Sequence, residues 1–408
     1  MERLDFCDRH GYPPEVREQL SRIVDALALA PGESLILLGS TPRGEFSYLR
    51  RDGRFVPLSD YEFLLVTPGA PDPSRELERS AGLAALEEEF AVGSPLFHVD
   101  CAPIAASRLG RLPRIVRHFE TKARGVTLAG PDRLADLPDI TLANLDYRDV
   151  NEIILWRLWS LLLHLPADPS AGDDEPRAAV LNYLACRNGL DLATWLLPWE
   201  GVLLPSFRER LAHVEERAPS KLGDGLVPFL RRCAAGKFDL RFDRPWRENH
   251  RDAVAFLLAA GALVLRGMEY PAASGRRGAA GFDDWNPRRK AHELRAVLRG
   301  DVLRPRATWP RWFRTGKFTA VYRTLAALQR AWIAGATGGD PAADLAEARR
   351  LLDGIEASPF PTHAAAAPFA VQWTRERRRL AEFLMFYLPS LGAKRAYLLR
   401  TLGEEVRP

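Results

Sequence analysis

Apolar residues recur along this chain with two different rhythms. In the first third, short apolar runs alternate with segments of helical spacing. Val16, Leu20, Ile23, Val24 and Leu27 predict an amphipathic helix over residues 14–29. It leads into Leu35-Ile36-Leu37-Leu38, an unbroken apolar run of the kind found in strands covered on both faces. Phe63-Leu64-Leu65-Val66 predicts a second such strand. Residues 74–90 read as a helix capped by Ser74, and residues 95–104 (PLFHVDCAPI) as an alternating strand. A helix over 112–124 with Gly125 as its stop, and a short strand from Val126, complete this region.

From residue 149 the strand patterns give way to long segments of helical period. Helices are expected over 150–165, 177–197 (ending before Pro198), 206–216, 226–235, 248–266, 289–299, 318–334, 341–358 and 371–402. Small and polar residues over 271–286 predict a mobile loop. The fold class expected is therefore α+β: a small sheet-bearing domain over residues 1–145, then a larger all-helical domain over 149–408.

Composition narrows the partners. Hydrophobic residues make up 47% of the 408 and charged residues 27%, and the net charge of +4 supplies no global field for nucleic acid or membrane. Cys7, Cys101, Cys186 and Cys233 are scattered without metal-ligand spacing, which argues against a zinc site or a disulfide framework. The opening residues lack a signal-peptide pattern, and the apolar stretch 153–165 is too short to span a bilayer. A cytoplasmic protein without membrane association is expected.

Candidate chemistry gathers between residues 34 and 104. Gly39-Ser40 ends the first strand with a conformationally free residue and a hydroxyl. Asp60 and Glu62 stand two apart at the mouth of the second strand, so the strand period puts both carboxylates on one face. Two adjacent acids repel, and a divalent cation is the usual remedy. His98 and Asp100 share a face of the third strand.

The order Gly39-Ser40, Asp60-x-Glu62, then Asp100 on a later strand resembles the signature of DNA polymerase beta-like nucleotidyltransferases. The resemblance covers roughly the first third of the chain. It implies a mixed-sheet catalytic domain with Asp60, Glu62 and Asp100 as ligands of Mg or Mn, Asp100 serving also as base. Gly39 and Ser40 would hold the terminal phosphates of an NTP, with ATP as the expected co-substrate. The loop between Ser40 and Asp60 is longer than in minimal members. Its arginines, Arg43 foremost, are candidates to steady a triphosphate, against the alternative of a solvated, partly mobile loop.

In the helical half, LNYLACRNGLDLATWLL resembles a second-domain helix of bacterial members, with Arg187 as a phosphate or substrate contact and Tyr183 as a wall. The alternative is an internal Arg187–Asp191 ion pair at i, i+4. Arg157 and His164 match the loose Arg-to-His spacing of HEPN-type ribonucleases, but Leu158 stands where those carry a polar residue. Residues 288–317 are rich in arginine, with Trp309 and Trp312 interleaved, a composition that can grip nucleic acid. The acceptor expected from the resemblance is nonetheless a small molecule bearing a hydroxyl; the alternatives are RNA- or protein-directed nucleotidyl transfer, or a non-catalytic nucleotide-binding or regulatory protein of the same fold.

Overall fold

The computed structural model describes residues 2–91, 94–171, 174–217, 220–271, 277–282, 317–355 and 368–387. After a short helix α1 (Asp5–Arg9) come α2 (Pro14–Leu27) and β1 (Ser34–Leu38). A hairpin follows, β2 (Tyr48–Arg51) and β3 (Arg54–Pro57), then β4 (Tyr61–Thr67), α3 (Pro73–Ala91), β5 (Val99–Ala105), α4 (Val116–Arg124) and β6 (Val126–Ala129). Strands β5, β4, β1 and β6 form one mixed sheet in that order. β1 runs antiparallel to β4 and β6, whereas β4 and β5 are parallel, joined by the crossover helix α3.

The continuous apolar runs have a plain cause. Leu35, Leu37, Phe63 and Leu65 face Val16, Leu20, Ile23 and Leu27 of α2. Their neighbours Ile36, Leu38, Leu64 and Val66 point the other way and pack on Leu109 and Leu137. Both faces are covered, so neither strand alternates with polar residues. Helix α2 stops two residues earlier than its periodicity suggests, because Ala28 turns left-handed at φ 42°.

Three expectations need correction. The stretch between Ser40 and Asp60 is not simply a loop: it contains the β2–β3 hairpin. Asp52 (φ 51°) and Gly53 (φ 74°) at its tip give the double positive-φ turn that suits the right-handed twist of paired strands. Second, the loop expected over 271–286 is entered and partly occupied by an antiparallel ribbon of β7 (Met268–Pro271) and β8 (Arg277–Ala280), so strands do occur in the second half. Third, the helix expected to end before Pro198 runs on through it. A proline in the last turn forfeits one backbone bond there, and the cap at Glu200 still donates back to Leu196 and Leu197.

The second half is otherwise helical among the described residues: α5 (Tyr147–Leu163), α6 (Glu175–Trp199), α7 (Phe207–Arg217), α8 (Leu226–Phe238), α9 (Trp246–Leu265), α10 (Lys317–Ala336), α11 (Ala342–Ile355) and α12 (Phe369–Tyr387). Asp146 caps α5, its carboxylate accepting from the Arg148 amide. One hydrophobic cluster, from Val116 and Ile140 to Leu384, centres on α5, α6, α9 and α10, with Trp195, Trp332 and Trp373 fully buried. The helix expected over 289–299 and the basic segment 288–317, apart from Lys317 at the start of α10, lie outside the described residues. No helix among the described residues is long and apolar enough to cross a membrane.

A polar seam joins the helices to the sheet. Lys237 of α8 is buried and donates to Glu45 O (3.1 Å), Ser47 Oγ (3.2 Å) and Tyr183 Oη (3.3 Å). Ser47 Oγ donates to Lys237 O (2.8 Å), and the Ser59 and Tyr183 hydroxyls share a hydrogen bond of 3.1 Å. Ser59 immediately precedes Asp60, so this network holds the entry to β4 against α6 and α8.

Candidate active site

The acids meet at one end of the sheet. Parallel pairing of β4 and β5 sets Glu62 directly opposite Asp100, and antiparallel pairing sets Glu62 opposite Leu38, one residue before Gly39. Asp60 and His98 sit just before their strands, and the Tyr61 amide donates to His98 O (3.1 Å). The side chains of Asp60, Glu62 and Asp100 keep 18%, 22% and 33% of their surface open, enough to meet a ligand from solvent.

Gly39 is required at its position for two reasons. Its φ of +78° is strained for any residue with a Cβ, and a Cβ there would lie 2.4 Å from Glu62 Oε2. Glycine thus lets the turn close onto the carboxylate. Beside it, the hydroxyls of Ser40 and Thr41 are buried and find no hydrogen-bond partner among the described residues. An unpaired buried hydroxyl costs about 1–3 kcal/mol.

The carboxylates already have partners. His98 Nε2 lies between Asp60 Oδ2 (3.1 Å) and Asp100 Oδ2 (3.3 Å). Arg117 of α4 reaches Glu62 Oε1 at 3.3 Å, and Glu62, then Asp100 and Asp60 against the opposing effect of burial, hold its pKa above the ordinary arginine value. Arg187 of α6 stands half-buried in the same field; burial opposes its charge, but Asp60, followed by Tyr183 and Asp191, outweighs it and the pKa is raised.

Asp191 takes its partner from a different helix than expected. Arg157 Nε of α5 lies 2.5 Å from Asp191 Oδ2, although Arg187 also feels the Asp191 charge. Burial depresses the Arg157 pKa, only partly countered by Asp191. His164, seven residues and nearly two turns on, sits elsewhere, where burial and the Arg377 charge push its pKa down to about 3. Arg157 and His164 therefore belong to different surroundings.

Two sequence candidates are engaged away from the acids. Arg43 donates through Nε to Glu45 Oε2 (2.9 Å) and through Nη1 to Glu120 Oε2 (2.5 Å), with a side chain 6% exposed. Burial opposes its charge, yet Glu120 and Glu45 more than offset it and the pKa is raised. Glu120 also receives Arg210, whose Nη1 donates to Thr194 Oγ1 (2.9 Å), and Thr194 donates in turn to Asp191 Oδ1 (3.1 Å). Arg43 thus ends a buried chain of alternating charge that ties the turn after Ser40 to α4, α6 and α7. Tyr183, expected as a wall, is fully buried in the seam with Ser59 and Lys237. Burial would raise its pKa, but Lys237 and Arg187 lower it overall.

Asp60, Glu62, Asp100, His98, Gly39, Ser40 and Arg187 therefore converge, and Arg43 and Tyr183 support them from behind. Reading the sequence overlooked Arg117, whose only local signal was a basic residue near a predicted helix start. The donor chemistry suits a hard divalent cation: three carboxylates at one sheet edge and a glycine that admits one of them to the adjoining turn. Among the described residues, however, no three His, Cys, Asp or Glu side chains are arranged so that they could hold a metal. The imidazole of His98 and the guanidinium of Arg117 occupy the approach, and cation binding requires side-chain rotation there. Compared with known proteins, the chain matches no family model and no curated protein.

Proposed function

We propose that this protein is a metal-dependent nucleotidyltransferase of the DNA polymerase beta-like kind, moving AMP from ATP to a hydroxyl of a small-molecule acceptor. The observation that carries this reading is the register of Glu62 against Asp100 beside Gly39, whose missing Cβ leaves room for Glu62 Oε2. Nucleotidyl transfer asks the protein for in-line geometry and charge neutralisation more than for covalent chemistry. Asp60, Glu62 and Asp100 are the residues that would hold Mg²⁺. When bound, the cation would offset phosphate charge and acidify the acceptor hydroxyl. The unpaired hydroxyl of Ser40 suits a phosphate oxygen, and Arg187 and Arg117 supply guanidinium groups for the same purpose. On this reading Asp100, the most open of the three acids, would accept the acceptor's proton.

A second reading, a nucleotide-binding protein that does not transfer, has one observation in its favour: each carboxylate already faces a basic side chain. Calorimetric titration of ATP with and without Mg²⁺ into wild type and Asp60→Asn is the first test, followed by transfer of labelled nucleotide to cell-extract metabolites. Metal-dependent binding, lost in the variant, is the expected result. If wild type binds no NTP in the presence of Mg²⁺, both readings fail; binding without transfer leaves the second.

A further inference from the structure

Between β5 and α4 the chain repeats a triplet: Arg108-Leu109-Gly110, Arg111-Leu112-Pro113, Arg114-Ile115-Val116, then Arg117. A threefold repeat places every third side chain on one side only if the backbone turns once per three residues, as in 3₁₀ and polyproline II geometry. The backbone does so at the start: residues Ala106–Arg111 form a 3₁₀ turn, and Leu112 follows at φ −55°, ψ 151°. Burial agrees with the repeat. Arg108, Arg111, Arg114 and Arg117 are all exposed, whereas Leu109 is fully buried and Leu112 and Ile115 are half-buried.

The ridge is held down along its length. Leu112 N bonds Leu109 O (3.0 Å), Ile115 N bonds Pro113 O (3.0 Å), and Asp146 N bonds Arg114 O (2.7 Å). No acidic residue occurs between positions 101 and 119. Among the described residues, Arg108, Arg111 and Arg114 have no ion-pair partner, although the later basic groups Lys122, Arg124 and Arg133 are matched with Asp139, Glu209 and Asp136. The row ends at Arg117, which touches Glu62 of the acid edge.

We infer that this ridge binds the phosphate backbone of a single-stranded nucleic acid and leads one end of it toward the acids. Arginines at every third position, about 6–9 Å apart along the chain where the rise is 2.0–3.1 Å per residue, suit a linear series of phosphates, which arginine grips in bidentate fashion. A membrane surface fits less well, because the apolar residues of the repeat are turned inward and leave nothing to insert. Delivery of a strand end to Asp60, Glu62 and Asp100 rests on the nucleotidyl-transfer reading, with a terminal hydroxyl of the strand in place of the small-molecule acceptor; strand binding itself does not.

The test is fluorescence anisotropy of a labelled mixed-sequence 20-nucleotide RNA with the full chain, at 50 to 200 mM salt. Four phosphate contacts on a single strand predict about 50-fold weaker binding across that range; removing two predicts only about sevenfold. Arg108→Ala/Arg111→Ala is expected to bind more weakly and to show the shallower dependence, with unchanged circular dichroism because both side chains are exposed. Arg51→Ala/Arg54→Ala, on the exposed tip of the hairpin, is expected to match wild type. Asp60→Asn is also expected to bind the strand normally, which separates this inference from the catalytic one. Absence of binding at 50 mM salt overturns the inference. So does an Arg108→Ala/Arg111→Ala variant with the wild-type salt slope, or binding to anionic phosphatidylserine vesicles without binding to RNA.

Discussion

Replacing Gly39 by alanine separates the two demands made on that residue. The first is conformational: an L residue at φ +78° costs about 1–2 kcal/mol. Part of this is returned, about 0.4–1 kcal/mol, because alanine restricts the unfolded chain. The net loss of stability is therefore small, roughly 1 kcal/mol. The second demand is steric. The new Cβ would stand 2.4 Å from Glu62 Oε2, well inside contact distance, and the carboxylate is the end of a flexible side chain that can swing away. A swing of about 1 Å at the reacting centre lowers the rate about 100-fold. Gly53→Ala provides the control: it carries a similar φ of +74° at the hairpin tip, with nothing within 4 Å of a built Cβ. Both variants should show similar urea midpoints, while only Gly39→Ala should lose Mg²⁺-dependent ATP binding and nucleotide transfer. Equal activity in the two variants would refute the role given to the close approach of glycine and Glu62.

Other outcomes follow from the seam and from two histidines of the helical half. Tyr183→Phe removes an acceptor from the buried Lys237 ammonium and a partner from Ser59, and should cost about 1–3 kcal/mol in urea unfolding. A double-mutant cycle with Lys237→Met should show coupling above about 0.5 kcal/mol; additive effects would dissolve the proposed pair. His250 and His164 are held neutral in the fold, burial lowering their pKa values from 6.5 to about 4 and about 3. The unfolded chain therefore binds more protons below pH 6.5, and stability falls as pH drops from 6.5 toward 4. The slope should approach about 1.4 kcal/mol per pH unit for each histidine, and urea midpoints at pH 7, 6 and 5 measure it. A flat profile would mean that both rings can be protonated in place, and half the slope that one of them can.

Local order was legible in the residues themselves. The apolar run 35–38, the two acids before 63–66 and the alternation around Asp100 each declare a strand, because side-chain period and burial are properties of neighbouring positions. The helical texture after residue 149 is equally local. Even the overlooked hairpin had its signal in Asp52-Gly53, and the arginine triplet was open to counting.

Choice of partner was settled only in three dimensions. Arg43 and Arg187 look alike along the chain, yet Arg43 is consumed by Glu45 and Glu120 whereas Arg187 stands in the field of Asp60. Asp191 lies four residues from Arg187 but has Arg157, from another helix, at 2.5 Å. Tyr183 meets Ser59, 124 positions away, and Lys237. A charge or hydroxyl can satisfy itself with any complementary group that packing brings within about 3 Å, and sequence spacing says little about which of those the fold delivers. The sequence by itself determined the strands that carry the acids and the helical texture after residue 149; tertiary packing decided which basic groups face those acids and which are spent holding the two halves together.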